Sequence, residues 1–536
     1  MKSRFNWDFI YPSQRMPILA RNIVSTSQPL ASQAGLQMIL KGGNAVDAAL
    51  AAAITLTVVE PTMNGIGSDA FAILWDGKKI VGLNASGRSP ASWEPDLFSH
   101  LEEMPLVGWG SVTVPGAVSA WIELSKRYGQ LSFKELFEPA IEYAEKGFLV
   151  SPITAEHWDS RLSSYKESIP KFKENFPEFY NTFYQHGRAP KQGEICKLPN
   201  HAKTLREIAK TEGESFYYGN LAKSIVEYAQ NSGGYFTFED FENHKVTWEK
   251  CLTFNYKDVT IHEIPPNGQG LATLIMLGII KQFDLSLIKS DSPDSLHLQI
   301  EAMKLAFSDA YRYISDQKSL EIDPEYLLNS EYLKQRANMI NLKKVRLYDA
   351  GIPKQGDTVY LTTADSEGMM VSFIQSNYAG FGSCIVVPNT GISLQNRGNG
   401  FSLVEGHPNQ VGPSKRPFHT IIPAFVTKKD TPLMSFGVMG GSMQPQGHAQ
   451  LLIRIFEYGQ NPQVALDAPR WRISDGFNVH LESGFKSDVS TKLTQLGHQI
   501  SLKDYTGFGG GQLIYKLEDG YLGASDWRKD GQAVGF

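Results

Sequence analysis

Cysteine is scarce in this chain: three residues in 536, Cys196, Cys251 and Cys384, all far apart. That excludes a Cys-x-x-Cys pair, a zinc spacing and a disulfide framework, and an odd, sparse count suits a reducing compartment. Long apolar runs are lacking too. The longest, Ala48 to Val59, is interrupted by threonines and too short to span a bilayer. The opening residues Met1 to Asp8 have no apolar core of the secretory-signal kind. From these absences we expect a cytoplasmic protein without a membrane partner. No charge of one sign dominates: the net charge is −5 with both signs mixed along the chain, which gives no footprint for nucleic acid. There is no GxSxG elbow, no HExxH pair and no Walker loop, so no metal and no cofactor is expected. Internal repeats and low-complexity tracts are absent.

What remains is an ordinary globular composition, 42% hydrophobic and 20% charged, long enough for a large core and, on size alone, for two to four domains. Pro29 to Lys41 has helical spacing and stops at Gly42-Gly43. Asn44 then caps a helix over Ala45 to Val59 that is apolar on every side and therefore buried. Glu60-Pro61 leads into the turn-rich loop Asn64 to Asp69, followed by strands at Ala70 to Trp75 and Ile80 to Asn84. A helix is predicted over Ala117 to Tyr128. Residues 130–250 read as mostly helical and polar. Val259 to Ile264 reads as a strand, Leu271 to Lys281 as a buried helix and Ser295 to Ser315 as a long amphipathic one. Ser330 to Gly356 is polar and reads as a linker or surface segment ending at the suspected cleavage point. Strands and glycine turns dominate from there to Gly412, a helix is predicted over Ala449 to Tyr458, and two strands close the chain. Sheet pairs covered by helices argue for layered α+β rather than regular βαβ alternation.

The stretch richest in chemistry is Gly356-Asp357-Thr358-Val359-Tyr360-Leu361. A small residue and an Asp precede a Thr that opens a period-2 strand. The strand turns at Ser366-Glu367-Gly368 and returns through Met370 to Ser376. Were the bond before Thr358 cut, Thr358 would carry its own base, an α-amine with a pKa near ~8 beside its hydroxyl. Taken alone, the segment reads first as an ordinary hairpin with a Thr-rich strand.

Several motifs, in order and spacing, resemble the γ-glutamyltransferase family of N-terminal-nucleophile hydrolases. They are Lys41-Gly42-Gly43-Asn44-Ala45-Val46-Asp47-Ala48-Ala49, Glu60-Pro61 with Gly65-Ile66-Gly67-Ser68-Asp69, and Val114-Pro115-Gly116. They continue in Gly356-Asp357-Thr358, Gly391-Ile392 with Leu394-Gln395-Asn396, Lys415-Arg416-Pro417, Gly440-Gly441, and Leu466-Asp467-Ala468-Pro469-Arg470. The resemblance covers nearly the whole chain. It implies a four-layer αββα sandwich and a precursor that cuts itself between Asp357 and Thr358. The products would be a large subunit, 1–357, and a small one, 358–536, intertwined in one domain. Thr358 would then form an acyl ester with a small-molecule amide, and water or an amine would resolve it. The two fragments would stay associated. Whether such units pair further is open.

By the same resemblance, Gly440 and Gly441 supply an oxyanion hole, worth roughly 3 kcal/mol per donor. Ser376 falls near the nucleophile's amine, and Thr420 at one of the family's paired serines. The standard γ-glutamyl pocket is altered here. The family's carboxylate-binding Arg maps to about Ser86, with Arg88 two residues on as a substitute. Its Gln and Asp for the α-ammonium map to Arg397 and Gly400, its Asn to Tyr378 and its first Ser to His419. An Arg where an ammonium should sit is electrostatically wrong for a γ-glutamyl head but suits the free carboxylate of a glutaryl group. A γ-glutamyl amide such as glutathione is the default donor by resemblance. The alternatives are an acylase of the glutaryl or cephalosporin type and a binding homologue that never cleaves.

Overall fold

The computed structural model describes residues 15–348 and 356–536. The Met1–Asp8 opening, on which the expectation about a leader rests, lies outside the described residues.

The buried helix expected early in the chain forms as read. Asn44 accepts from the N–H groups of Val46 (2.9 Å) and Asp47 (3.1 Å), and Asp47 Oδ2 accepts from the Asn44 N–H (2.9 Å). This capping box starts helix Ala45–Val59, and every residue of the helix is buried. It packs on helix Pro29–Leu40 and on the strands that carry Thr358. A second all-buried helix, Gly270–Ile280, packs on the other sheet and against helices Pro293–Tyr313 and Met443–Phe456.

Among the described residues, fourteen strands build the two main sheets. In chain order the first seven are β1 (Ile18–Ala20), β2 (Ile23–Thr26), β3 (Asp69–Trp75), β4 (Ile80–Asn84), β5 (Thr247–Glu249), β6 (Leu252–Tyr256) and β7 (Val259–Glu263). The rest are β8 (Asp357–Ala364), β9 (Met370–Tyr378), β10 (Ala424–Lys428), β11 (Thr431–Val438), β12 (Gly511–Lys516), β13 (Tyr521–Ser525) and β14 (Gln532–Gly535). One sheet runs β14-β2-β8-β9-β3-β4-β5 and the other β1-β13-β12-β11-β10-β7-β6. All neighbours in both are antiparallel, which makes the fold α+β. Ile23, Phe71, Ile73, Tyr360 and Ile374 of the first sheet share one apolar cluster with Phe425, Ile514 and Tyr521 of the second. Both sheets combine strands from before and after position 357: β2 lies between β14 and β8 in one, and β1 and β7 flank the late strands of the other.

Two readings of local structure need correction. Ser330 to Gly356 is not a plain linker. Ser330–Asn338 is a helix, and Val345, Arg346 and Tyr348 are tied down through Leu496 O and Glu301; residues 349–355 lie outside the described set. The helix expected from Ala449 begins at Met443, because Pro445 and Gly447, which look like breakers, fall in its first turns where Pro needs no N–H partner. His448 therefore sits inside that helix, bonded to the buried Glu263 (2.9 Å). Among the described residues, no helix is long and apolar enough to cross a membrane.

Candidate active site

Thr358 lies at an irregularity in the β8–β9 ladder. Asp357 pairs with Tyr378 but Val359 pairs with Gln375, so the register shifts by one residue across Thr358. Such bulges re-aim a side chain. Thr358 is 1% exposed. Its Oγ1 donates to Ser376 Oγ (3.3 Å) and accepts from Gln444 Nε2 (3.3 Å). Gln444 is oriented by its own Oε1, which accepts from Ile422 N (2.9 Å), so its amide N–H₂ faces the threonine. Ser376 in turn donates to the carbonyl O of Asp357 (2.6 Å) and accepts from Tyr378 N (2.8 Å). A hydroxyl thus sits beside the peptide carbonyl it would attack, with a donor already on that carbonyl's oxygen.

Gly440 and Gly441 follow β11 with φ of +120° and +60°, conformations that favour glycine. Gln269 Nε2 bonds the carbonyl of Gly441 (2.9 Å) and that of Thr420 (2.5 Å), tying the glycine turn to the pocket wall. The Gly-rich segment Gly507 to Gly511 packs beneath: a Cβ on Gly509 would fall 2.1 Å from Met439 O. That close approach accounts for the glycine at 509.

Arg397 is fully buried beside Thr358's neighbours. Its Nη1 donates to Thr420 Oγ1 (2.7 Å), and its guanidinium lies 4.9 Å from the Tyr378 ring centre. Nε and Nη2 are buried without a protein partner. A cavity of about 190 Å³ opens there, lined by Arg397, Tyr378, Thr420, Tyr311, Phe401, Phe418 and His407. Burial pulls the Arg397 pKa down to about 10, against the opposing pull of Asp69, so the group stays charged at neutral pH. Buried donors with no acceptor are costly, and a carboxylate would satisfy these two. Gly356 packs against Tyr378: a Cβ there would lie 2.8 Å from the Tyr378 ring.

His419 does not line that cavity. Its Nδ1 accepts from Ile421 N (3.4 Å), which assigns the proton to Nε2, and Nε2 donates to Asp69 Oδ2 (3.1 Å). Both side chains are fully buried. Burial, with Arg397 and Arg416 nearby, keeps His419 neutral, and burial pushes Asp69 up to about 7. Arg88 lies apart, lining a separate cleft of about 240 Å³ with Val114, Thr237, Asp240, His244 and Ser414. The structure therefore brings Asp357, Thr358, Ser376, Tyr378, Arg397, Thr420, Gly440 and Gly441 into one linked set, sets His419 behind it and leaves Arg88 outside.

Sequence reasoning missed Gln444, Gln269 and Asp69. Asp69 closes the quoted Gly65 to Asp69 motif, and Gln444 follows Gly440-Gly441 at the start of a helix, so position alone marked both. Gln269 carried no signal. His297, Glu301 and His498 also come together, with ligand atoms within 4.8 Å. They are already engaged: His297 Nδ1 pairs with His498 Nε2 (2.8 Å), and Glu301 with Lys304 (2.8 Å) and Tyr348 (3.0 Å).

A buried threonine hydroxyl bonded to the serine that donates to its own preceding carbonyl is an arrangement suited to self-processing amidohydrolases. The chain belongs to the γ-glutamyltranspeptidase family, whose model matches residues 31–536. It is similar to a cephalosporin acylase from Bacillus halodurans of known structure, at 45% identity and a TM-score of 0.95, over 100% of this chain and 99% of that one. It is 36% identical to the glutathione hydrolase-like YwrD proenzyme of Bacillus subtilis, over 96% of this chain and 98% of that protein. It is 34% identical to the oxamate amidohydrolase proenzyme of Klebsiella pneumoniae, over 95% and 97%.

Proposed function

We propose that the chain is the precursor of an amidohydrolase that cuts itself between Asp357 and Thr358 into a large subunit, 1–357, and a small subunit, 358–536. Helices outside two facing sheets support an αββα sandwich of four layers for the pair. Thr358 Oγ1 is the nucleophile. Once the chain is cut, its own α-amine serves as base, and the hydroxyl of Ser376 is free to hold that amine. The N–H groups of Gly440 and Gly441 stabilise the oxyanion on the acyl carbon, and Gln444 holds the hydroxyl in line. The resulting acyl ester is resolved by water or by an amine.

The acyl donor is a small amide. Relatives named for glutathione, oxamate and cephalosporin leave its class open, and the observation that decides for us is Arg397. A charged guanidinium with two unpartnered donors would repel the ammonium of a γ-glutamyl head and attract a terminal carboxylate. We therefore favour monoamides of short dicarboxylic acids, glutaryl among them, over γ-glutamyl amides, which stay the family's default. Thr420 orients Arg397, and Tyr378 gives it a ring face. Arg88 and His419 have no contact with the donor in this scheme.

The test joins intact mass and amino-terminal sequencing of the purified protein to kinetics on glutaryl and γ-glutamyl anilides. Two fragments, the smaller beginning Thr358-Val359-Tyr360, and faster glutaryl turnover are expected. An uncut chain inert on both anilides overturns the reading, and faster γ-glutamyl turnover returns the donor to the default.

A further inference from the structure

The residue on the amino side of the scissile bond is held from two directions. Asp357 Oδ2 accepts from Arg161 Nη2 (2.7 Å) and from Gly380 N (2.9 Å). Arg161 belongs to helix Pro152–Ser168, and one turn further along it Tyr165 donates its hydroxyl to Gly380 O. A Cβ at Gly380 would fall 2.8 Å from Arg161 Cδ and Nε, so a glycine is needed there for the guanidinium to reach Asp357. The loop it clasps is strained: Tyr378, Phe381 and Cys384 have φ of +79°, +57° and +63°. The pair is partly exposed, at 38% for the Arg161 side chain and 19% for that of Asp357, and exposed pairs add little to stability. Its place at residue 357 suits geometry better than stability.

We infer that Arg161 is a positioning residue for self-cleavage: by anchoring the Asp357 side chain while Ser376 holds its carbonyl oxygen, it presents the carbonyl carbon to Thr358 Oγ1. The inference rests on the self-cleaving reading above. In the step it serves, Thr358 Oγ1 bonds to the Asp357 carbonyl carbon and the C–N bond breaks. The proton lost by the hydroxyl ends on the new α-amine, leaving an ester. Water then adds to the ester carbon, freeing the Asp357 carboxyl group and returning a proton to the Thr358 hydroxyl. Arg161 takes part in neither proton transfer. It removes the rotations of Asp357 about its Cα that would swing the carbonyl away from the hydroxyl.

The test uses the full chain made by cell-free synthesis, so that it starts uncut, and follows the appearance of the fragment beginning at Thr358. Arg161→Gln is expected to slow that appearance about tenfold with an unchanged melting temperature. Arg161→Lys, which keeps the charge without the fork, should recover part of the rate. Millimolar guanidinium should speed Arg161→Ala and leave Asp357→Asn as it was, because only the former keeps the carboxylate and vacates its partner's place. If the wild type cuts and Arg161→Gln cuts at the same rate, the inference is overturned. It is overturned equally if slow cutting comes with a lowered melting temperature and no guanidinium rescue, since that marks a structural role. A wild type that neither cuts nor turns over an amide fails earlier, at the proposed function itself.

Discussion

Replacing Arg397 by Gln removes the group proposed above to separate the two donor classes. In the protein the guanidinium gives up only the bond to Thr420 Oγ1 (2.7 Å) and the Tyr378 ring face, because Nε and Nη2 have no protein partner to lose. With a dicarboxylic donor bound, the loss is a close, buried charge pair. Truncating one partner of such a pair costs about 2–5 kcal/mol. Asp69 already shares the field of Arg397, so the lower end applies. About 2–3 kcal/mol corresponds to a fall of roughly 30- to 150-fold in kcat/KM for glutaryl anilide. For γ-glutamyl anilide the sign reverses: Gln removes a like-charge repulsion and kcat/KM should hold or rise. The readout is the ratio of kcat/KM for the two anilides, measured on wild type and variant preparations of equal processed fraction. The folded state also stops burying an under-partnered charge, so the melting temperature should not fall. Equal losses on both donors, or an unchanged glutaryl value, would refute the role assigned to Arg397. A large drop in melting temperature would make it a structural residue.

Thr358→Ala should stay at full-length mass indefinitely, and Thr358→Ser should cut slowly, both followed by intact mass. Ser376→Ala removes the donor to the Asp357 carbonyl, and cutting should slow about tenfold or more, seen in a time course on freshly made chain. Gly441→Ala places a Cβ at φ +60° and displaces an oxyanion donor, so kcat on processed enzyme should fall about 10²-fold with KM little changed. Glu60 is buried, bonded by Ser27 Oγ (2.5 Å), and burial pushes it up to about 7. A raised carboxyl pKa means that the folded state binds the extra proton. Its stabilising contribution is therefore full below the unfolded value near 4.5 and is lost as pH rises through 7. Glu60→Gln should flatten that part of the stability–pH curve by on the order of 3 kcal/mol, read by denaturant melts from pH 4 to 8.

The sequence was most legible where local chemistry decides. The Asn44–Asp47 capping box and the all-apolar run after it gave helix Ala45–Val59 to the residue. Alternation gave the hairpin on which Thr358 sits. The strand order of the two sheets was not legible, since partners such as Leu361 and Thr26, or Phe436 and Leu513, meet only through tertiary packing. At the site, motif position pointed to Thr358, Gly440 and Gly441, which the structure ties into one bonded set through Gln444, Ser376 and Gln269. It also pointed to Arg88 and His419, which lie away from the Arg397 cavity. Their surroundings come from neighbours that no spacing encodes: His419 is bonded to Ile421 N and Asp69, and Arg88 shares a cleft with Asp240 and His244. Arg161 passed unnoticed because it reaches Asp357 across nearly two hundred residues from a helix that reads as plain surface.

The sharing of each sheet between early and late strands bears on how the molecule ages. While the chain is intact, unfolding is unimolecular and each copy carries its own instructions for return. After the cut, β2 is still wedged between β8 and β14, and β1 still borders β13, so neither piece can leave without tearing a sheet. The nick goes unnoticed in the folded state, but melting now releases two species that must find each other again. Refolding becomes second order, the melting point comes to depend on concentration, and loss on heating turns irreversible in practice. The protein would thus hold its structure as an inheritance from a chain that no longer exists, kept by the height of the unfolding barrier.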